Sequence, residues 1–166
     1  MSGSLVLIAH NIRSAHNVGA LLRTCEGLGV EKLFLTGYTP YPTAPGDSRL
    51  PHIVRKLDQQ ISKISLGAEK TMKWEYREDI MGVLGNLKKD GFSIAGLEQQ
   101  PRSTPLPTFR SPEKLAILLG SEATGIDNEL LKLMDLILEI PMAGQKESFN
   151  VVEAAAMAMY HCRHIA

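Results

Sequence analysis

The sequence predicts an α/β protein built on a mostly parallel sheet of about six strands with helices on both faces. Three observations carry this. Short runs rich in Val, Ile and Leu recur along the chain, amphipathic stretches of helical period separate them, and polar or glycine-rich stretches follow the runs. Open α/β sheets bind ligands just beyond the carboxyl ends of their strands, so those stretches are where function is expected.

The elements follow in order. Residues 4–10 (SLVLIAH) read as a strand, 18–29 (VGALLRTCEGLG) as a helix and 32–37 (KLFLTG) as a second strand, a βαβ start. The segment opening YTPYPTAPGDSRLPH is dense in Pro and Gly. It continues for roughly 25 residues without clear periodicity, which marks a binding loop in place of a simple connection. Residues 78–91 form a helix with Ile80, Val83, Leu84 and Leu87 on one face, followed by the strand FSIAGL and a proline-punctuated loop. LAILLG (115–120) is the next strand, SEATGIDNELLKLM a turn and short helix, and DLILEIP (135–141) a buried strand. The last helix, VVEAAAMAMYHCRHI (151–165), is expected to be the most buried of the chain and apolar around most of its circumference. No internal repeat and no linker divides the sequence, so residues 1–166 are read as one domain.

Composition excludes several classes. With 44% hydrophobic and 22% charged residues the chain is neither disordered nor fibrous. No 18-residue apolar run occurs and the N-terminus lacks the pattern of a signal peptide, which places the protein in the cytoplasm, away from membranes. Cys25 and Cys162 sit inside apolar helical patterns, as reduced and buried thiols would. Eighteen Lys and Arg balance eighteen Asp and Glu, so net charge gives no sign of a nucleic-acid partner. Locally the balance differs: between residues 49 and 73, six basic residues, Arg49, Arg55 and Lys56 among them, face only Asp58 and Glu69.

Familiar catalytic fingerprints are missing. Neither GxGxxG nor GxxxxGK[ST] occurs, GSEATG puts Glu where a nucleophile elbow needs Ser, and the five histidines show no HExxH. No metal site is therefore expected, and His161 and His164 are assigned to the carboxyl end of the last helix. Three polar islands remain, each at a strand end: NIRSAHNVGALLRTCEGLG with Asn17 as a helix cap, Gly19 for a close approach and Arg23 beyond; GSEATG with Glu122; and IPMAGQKESFN with Ser148 and Asn150. Singly, each is explained by capping or turn geometry.

Together the three islands resemble, in order, the motifs of the SpoU (TrmH-like) branch of the SPOUT superfamily, RNA ribose 2′-O-methyltransferases that use S-adenosyl-L-methionine. IPMAGQKESFNVVEAAAMAMY is similar to the family's last motif, with Phe149 and Val152 where Leu and Ser are usual, and SLGAEK (65–70) resembles its middle segment. The resemblance implies a deep C-terminal trefoil knot whose bends hold the cofactor, through Leu97, Gly120, Ile140, Met142, Phe149 and Asn150. It implies a homodimer, with the helix carrying Arg23 near the partner's cofactor. It also implies that Asn17, Arg23, Glu122, Ser148 and Asn150 form the catalytic set. A guanidinium is too weakly acidic to serve as a base, so Arg23 is assigned to phosphate binding and alkoxide stabilisation, oriented by Glu122 and Asn17.

With no RNA-binding domain appended to the catalytic pattern, the substrate, tRNA or rRNA, is expected to meet the loops and the basic stretch with Arg49, Arg55 and Lys56. Two other readings stand beside this one: a non-catalytic module of the same fold that binds RNA or cofactor, and an unrelated α/β hydrolase. The hydrolase lacks a nucleophile with its base.

Overall fold

The structure, a computed structural model, describes residues 3–165. In chain order it contains β1 (Ser4–His10), α1 (Ala15–Gly27), β2 (Lys32–Thr36), α2 (Pro51–Ser65), α3 (Ala68–Thr71), β3 (Trp74–Arg77), α4 (Ile80–Lys89), β4 (Ser93–Leu97), β5 (Thr104–Pro105), β6 (Lys114–Leu119), α5 (Asn128–Leu131), β7 (Leu136–Glu139) and α6 (Val151–His164). The strands form one sheet in the order β3-β2-β1-β6-β4-β7-β5, and every pairing is parallel.

Parallel strands covered by helices on both faces need apolar residues on both faces, and β1 and β6 show why their runs are continuous. On β1, Leu5, Leu7 and Ala9 face the layer of α1 and α6, while Val6 and Ile8 face α4 and α5. On β6, Leu115, Ile117 and Leu119 take the first side, and Ala116 and Leu118 the second.

Seven strands are found where about six were expected. The additions are short: β3 has four residues, and β5 has two, one of them Pro105, at the sheet edge where a residue without an N–H is tolerated. The stretch after β2 differs more. Its second half is α2, entered at Pro51 and ended by Leu66, whose φ of 52° is left-handed. Ile53, Val54, Leu57, Ile61 and Ile64 recur along it at helical spacing, a periodicity the sequence reading passed over, although only Ile61 and Ser65 are buried.

Helix α1 begins earlier than the sequence suggested. Ser14, not Asn17, is its cap, accepting from the Asn17 amide at 3.2 Å. Gly19 is where α1 meets α2: a Cβ there would lie 2.6 Å from the Ile61 carbonyl oxygen.

Helix α6 is not the most buried helix. Four of its residues are buried, Ala155, Ala158, Met159 and His161, against six in α1, and Glu153 and Tyr160 are exposed. His161 is not at work on the helix end either, since its Nε2 donates to the Phe109 carbonyl at 3.0 Å. Arg163 instead reaches the end of α1, donating to the carbonyls of Leu28, Gly29 and Gly3. Both cysteines are free: Cys25 is buried against Met159, and burial pushes the half-buried Cys162 thiol up to about 11.

Gly19→Ala should cost about 1–3 kcal/mol through the α1–α2 clash, lowering the melting midpoint by about 2–4 °C per kcal/mol. Gly27→Ala, whose added Cβ meets nothing within 4 Å, is the control and should leave the midpoint unchanged or slightly raised.

Candidate active site

The loops that follow β4, β6 and β7 converge on a cavity of about 540 Å³. Its size is that of a site for one small organic ligand. The loop after β6 runs from Gly120 to Gly125 and closes on itself, Ser121 and Gly125 exchanging backbone hydrogen bonds of 3.1 and 2.8 Å. A Cβ on Gly120 would fall 2.3 Å from the Gly125 carbonyl carbon, and Gly125 has a φ of +69°. No other residue fits this turn at either position.

Glu122, at the tip of that turn, reaches the start of α1. Its carboxylate accepts from the Arg13 amide at 2.8 Å, the Ser14 amide at 3.2 Å and the Asn17 side-chain amide at 2.9 Å. Backbone N–H groups at a helix start have no partner in the helix, and an anion there is favoured. Burial alone would raise the Glu122 carboxyl, but the hydrogen bonds from Arg13, Asn17 and Ser14 outweigh it and hold the group below its usual value.

The loop after β7 brings Ser148, Phe149 and Asn150 to the cavity. Asn150 caps α6, its Oδ1 accepting from the Val152 amide at 2.8 Å. Phe149 lines the cavity and is 40% exposed, so its ring is open to a ligand there. Behind it the small residues do what close packing needs: Ala154 lines the cavity, and Ala155 and Ala158 are fully buried.

Of the expected site residues, the structure brings Leu97, Gly120, Glu122, Ile140, Ser148, Phe149 and Asn150 to this one cavity. Met142 is half-buried and does not line it. Asn17 lies beside it through Glu122. Arg23 does not join them. It is exposed on α1, six residues past Asn17 and roughly 9 Å further along the axis, and among the described residues nothing pairs with it. Within one chain neither Glu122 nor Asn17 hydrogen-bonds to Arg23; those two hold each other and the helix start.

Arg49 is turned onto its own loop. It pairs with Asp47 at 2.5 Å, donates to the Tyr41 and Pro42 carbonyls, and lies 3.5 Å over the Tyr41 ring, which stacks on Tyr76. Arg55 and Lys56 are exposed on α2. Among the described residues no cluster of His, Cys, Asp and Glu could hold a metal ion. Sequence reasoning missed Glu98, Gln99 and Glu139, which also line the cavity. Their one signal was position, just after a strand or at its end.

The family profile described as "SpoU rRNA Methylase family" matches residues 4–160. The chain belongs to this family. It is 30% identical over 159 residues to a tRNA (guanosine(18)-2'-O)-methyltransferase of Saccharomyces cerevisiae, covering 94% of this chain and 10% of the yeast protein. It is 27% identical over 158 residues to the enzyme of that name from Borreliella burgdorferi, covering 94% of this chain and 64% of that one. The chain thus spans less than two thirds of the length of these curated relatives. Among solved structures, it is similar to an AdoMet-bound rRNA methyltransferase from Sinorhizobium meliloti, with a TM-score of 0.80, 18% identity, and coverage of 100% of this chain and 58% of that one. It also resembles the A. aeolicus TrmH/SpoU tRNA modifying enzyme, with a TM-score of 0.78, 22% identity, and coverage of 96% and 74%. These likenesses show the fold of a family member.

The Glu122 carboxyl sits below its unfolded value. Its hydrogen bonds therefore stabilise the protein above the ordinary glutamate value of about 4.3, and that contribution is lost as pH falls through the folded value. In a pH titration by NMR, the Arg13 and Ser14 amide protons should shift together in that acidic window. Glu122→Gln should abolish the shared transition.

Proposed function

We propose that this family member transfers a methyl group from S-adenosyl-L-methionine to a ribose 2′-hydroxyl in tRNA or rRNA. The observation that carries the proposal is the meeting of the second and third motif loops, with Leu97 from β4, around one cavity, while Glu122 links that cavity to the first motif. The residues fit the cofactor: main chain of the tight turn from Gly120 to Gly125 along the cavity, an exposed Phe149 ring for an aromatic or aliphatic surface, and polar groups on Ser148 and Asn150. When bound, the cofactor supplies an electrophilic methyl group on a sulfonium sulfur.

The chain's own residues supply position and electrostatics. Catalysis here consists of holding a hydroxyl in line and stabilising the charge it develops. Glu122 holds the start of α1 against the cofactor loop. Arg23 meets the RNA phosphate and the developing alkoxide; its guanidinium is always charged and has no acceptor for a proton, so the hydroxyl proton leaves to water.

The same proposal covers the assembly. Arg23 lies on an exposed face away from its own chain's cavity, while Val151, Val152, Ala154, Ala156 and Met157 of α6 are only half-buried, which supports a homodimer in which Arg23 of one subunit serves the cavity of the other. A deep C-terminal trefoil knot is supported by the family match and by β7 lying between β4 and β5, with the loop that follows returning to α6. The chain acts as one methyltransferase domain in the cytoplasm. Among the described residues no helix is long and apolar enough to cross a membrane. RNA is met by Arg55 and Lys56 on the exposed half of α2, and Arg49 braces the segment that leads into them.

Calorimetry should show binding of S-adenosyl-L-homocysteine to the wild type. Asn150→Asp keeps a cap oxygen for Val152 and replaces the amide N–H₂, so it should leave the melting midpoint unchanged. It should weaken cofactor binding about tenfold, equal to about 1.4 kcal/mol. Binding by neither the cofactor nor its product would remove the enzyme reading.

Arg23→Ala and Asn150→Ala should each be inactive in RNA methylation assays and recover partial activity when their subunits are exchanged. Mixed dimers, seen by native mass spectrometry, would then contain one site with both intact residues. Mixed dimers without recovery would assign Arg23 and Asn150 of a site to the same chain.

A further inference from the structure

Two residues outside the three motifs tie the cavity's loops together. Strand β4 ends at Leu97, and the Glu98 amide continues its ladder by donating to the Leu138 carbonyl at 2.9 Å. The Glu98 side chain then turns to the loop after β6. One carboxylate oxygen accepts from the Gln99 amide at 3.0 Å and the other from the Ile126 amide at 3.0 Å. That second oxygen fills the space where a Cβ on Gly125 would lie, 2.1 Å away, so the glycine is required by its neighbour as well as by its own φ.

Gln99 turns the other way. Its side-chain Nε2 donates to the Glu147 carbonyl at 2.7 Å, one residue before Ser148. Among the described residues this is the one hydrogen bond that reaches residues 141–149 from elsewhere, and all of those residues except Met142 are exposed. A loop so exposed and so sparsely bonded has few other means of staying in place.

We infer that Glu98 and Gln99 are positioning residues that clasp the loops after β6 and β7 at the separation the cofactor cavity requires. The inference rests on the cofactor reading above. Glu98 fixes the floor of the site through Ile126 and Gly125, and Gln99 fixes the segment that presents Ser148, Phe149 and Asn150. Loops held before the ligand arrives need not be ordered by it, so the clasp acts on cofactor affinity and leaves turnover at saturation alone.

The test uses the full chain with Gln99→Met, which keeps length and removes the donor without altering charge, and with Glu98→Gln, which keeps one acceptor oxygen for Ile126. Backbone order parameters of residues 145–149 and hydrogen exchange at the Ile126 amide are measured without ligand. Affinity for S-adenosyl-L-homocysteine is measured by calorimetry, and KM and kcat in the methylation assay.

Gln99→Met should lower the order parameters of 145–149 from the rigid range near ~0.85 toward ~0.6. It should raise Kd and the cofactor KM about tenfold with kcat within about twofold. Glu98→Gln should speed exchange at Ile126 and show a smaller affinity loss, and Glu98→Ala a larger one. Unchanged order and unchanged affinity in Gln99→Met would overturn the clasp, as would lost order with full affinity. Wild-type protein that binds no cofactor would overturn the cofactor reading instead, and the order parameters would still decide whether the clasp exists.

Discussion

At the carboxyl end of the central strand β6 the backbone turns back so closely that a side chain on Gly120 would lie 2.3 Å from the Gly125 carbonyl carbon. Much of the site depends on this constraint. The turn is tight enough to close on itself through Ser121 and Gly125, so its tip carries Glu122 away from the sheet and toward the start of α1. There the carboxylate takes up N–H groups that a helix start leaves free, and one loop is joined to an element more than a hundred residues earlier in the chain. The left-handed Gly125 also leaves room for Glu98 to approach from β4. A larger residue at either glycine would disturb both neighbours.

Charge in this molecule is arranged locally and sums to nothing. The cavity lining holds three glutamates and no Lys, Arg or His. Each of the three has hydrogen-bond work of its own: Glu122 with α1, Glu98 with the Ile126 amide, and Glu139 accepting from the Ser103 hydroxyl at 2.6 Å. The cations lie elsewhere. Arg49 and Arg163 are folded onto backbone carbonyls, where a guanidinium's several donors satisfy groups that helix ends and loops leave open, while Arg23, Arg55 and Lys56 stay exposed. An overall charge of zero therefore says little about how any one surface behaves.

The class of fold, the central strands and the three motif stretches could be read from residue order alone. Runs such as SLVLIAH and KLAILL are apolar at consecutive positions because both faces of β1 and β6 are covered, and a pattern that strong survives without knowledge of neighbours. The motifs were legible because glycine, carboxylate and amide at fixed spacing have few structural uses in common. Tertiary structure decided the rest. Strand β3 has four residues and β5 two, so their local patterns are too faint to stand alone, whereas α2, with Ile53, Val54, Leu57, Ile61 and Ile64 at helical spacing, was legible and was hidden only by the Pro- and Gly-rich stretch before it. Ser14 has the extended backbone of a cap while Asn17, inside α1, turns its side chain to Glu122, and His161 points at Phe109 because α6 packs beside the Leu106–Thr108 turn. Arg49 bends inward to Asp47 and Tyr41, and Glu98 and Gln99 meet loops that begin 20 or more residues later. Arg49 meets partners in its own loop, but for Asn17, His161, Glu98 and Gln99 the deciding partner is distant in sequence, and only the order of strands in the sheet brings it within hydrogen-bond reach.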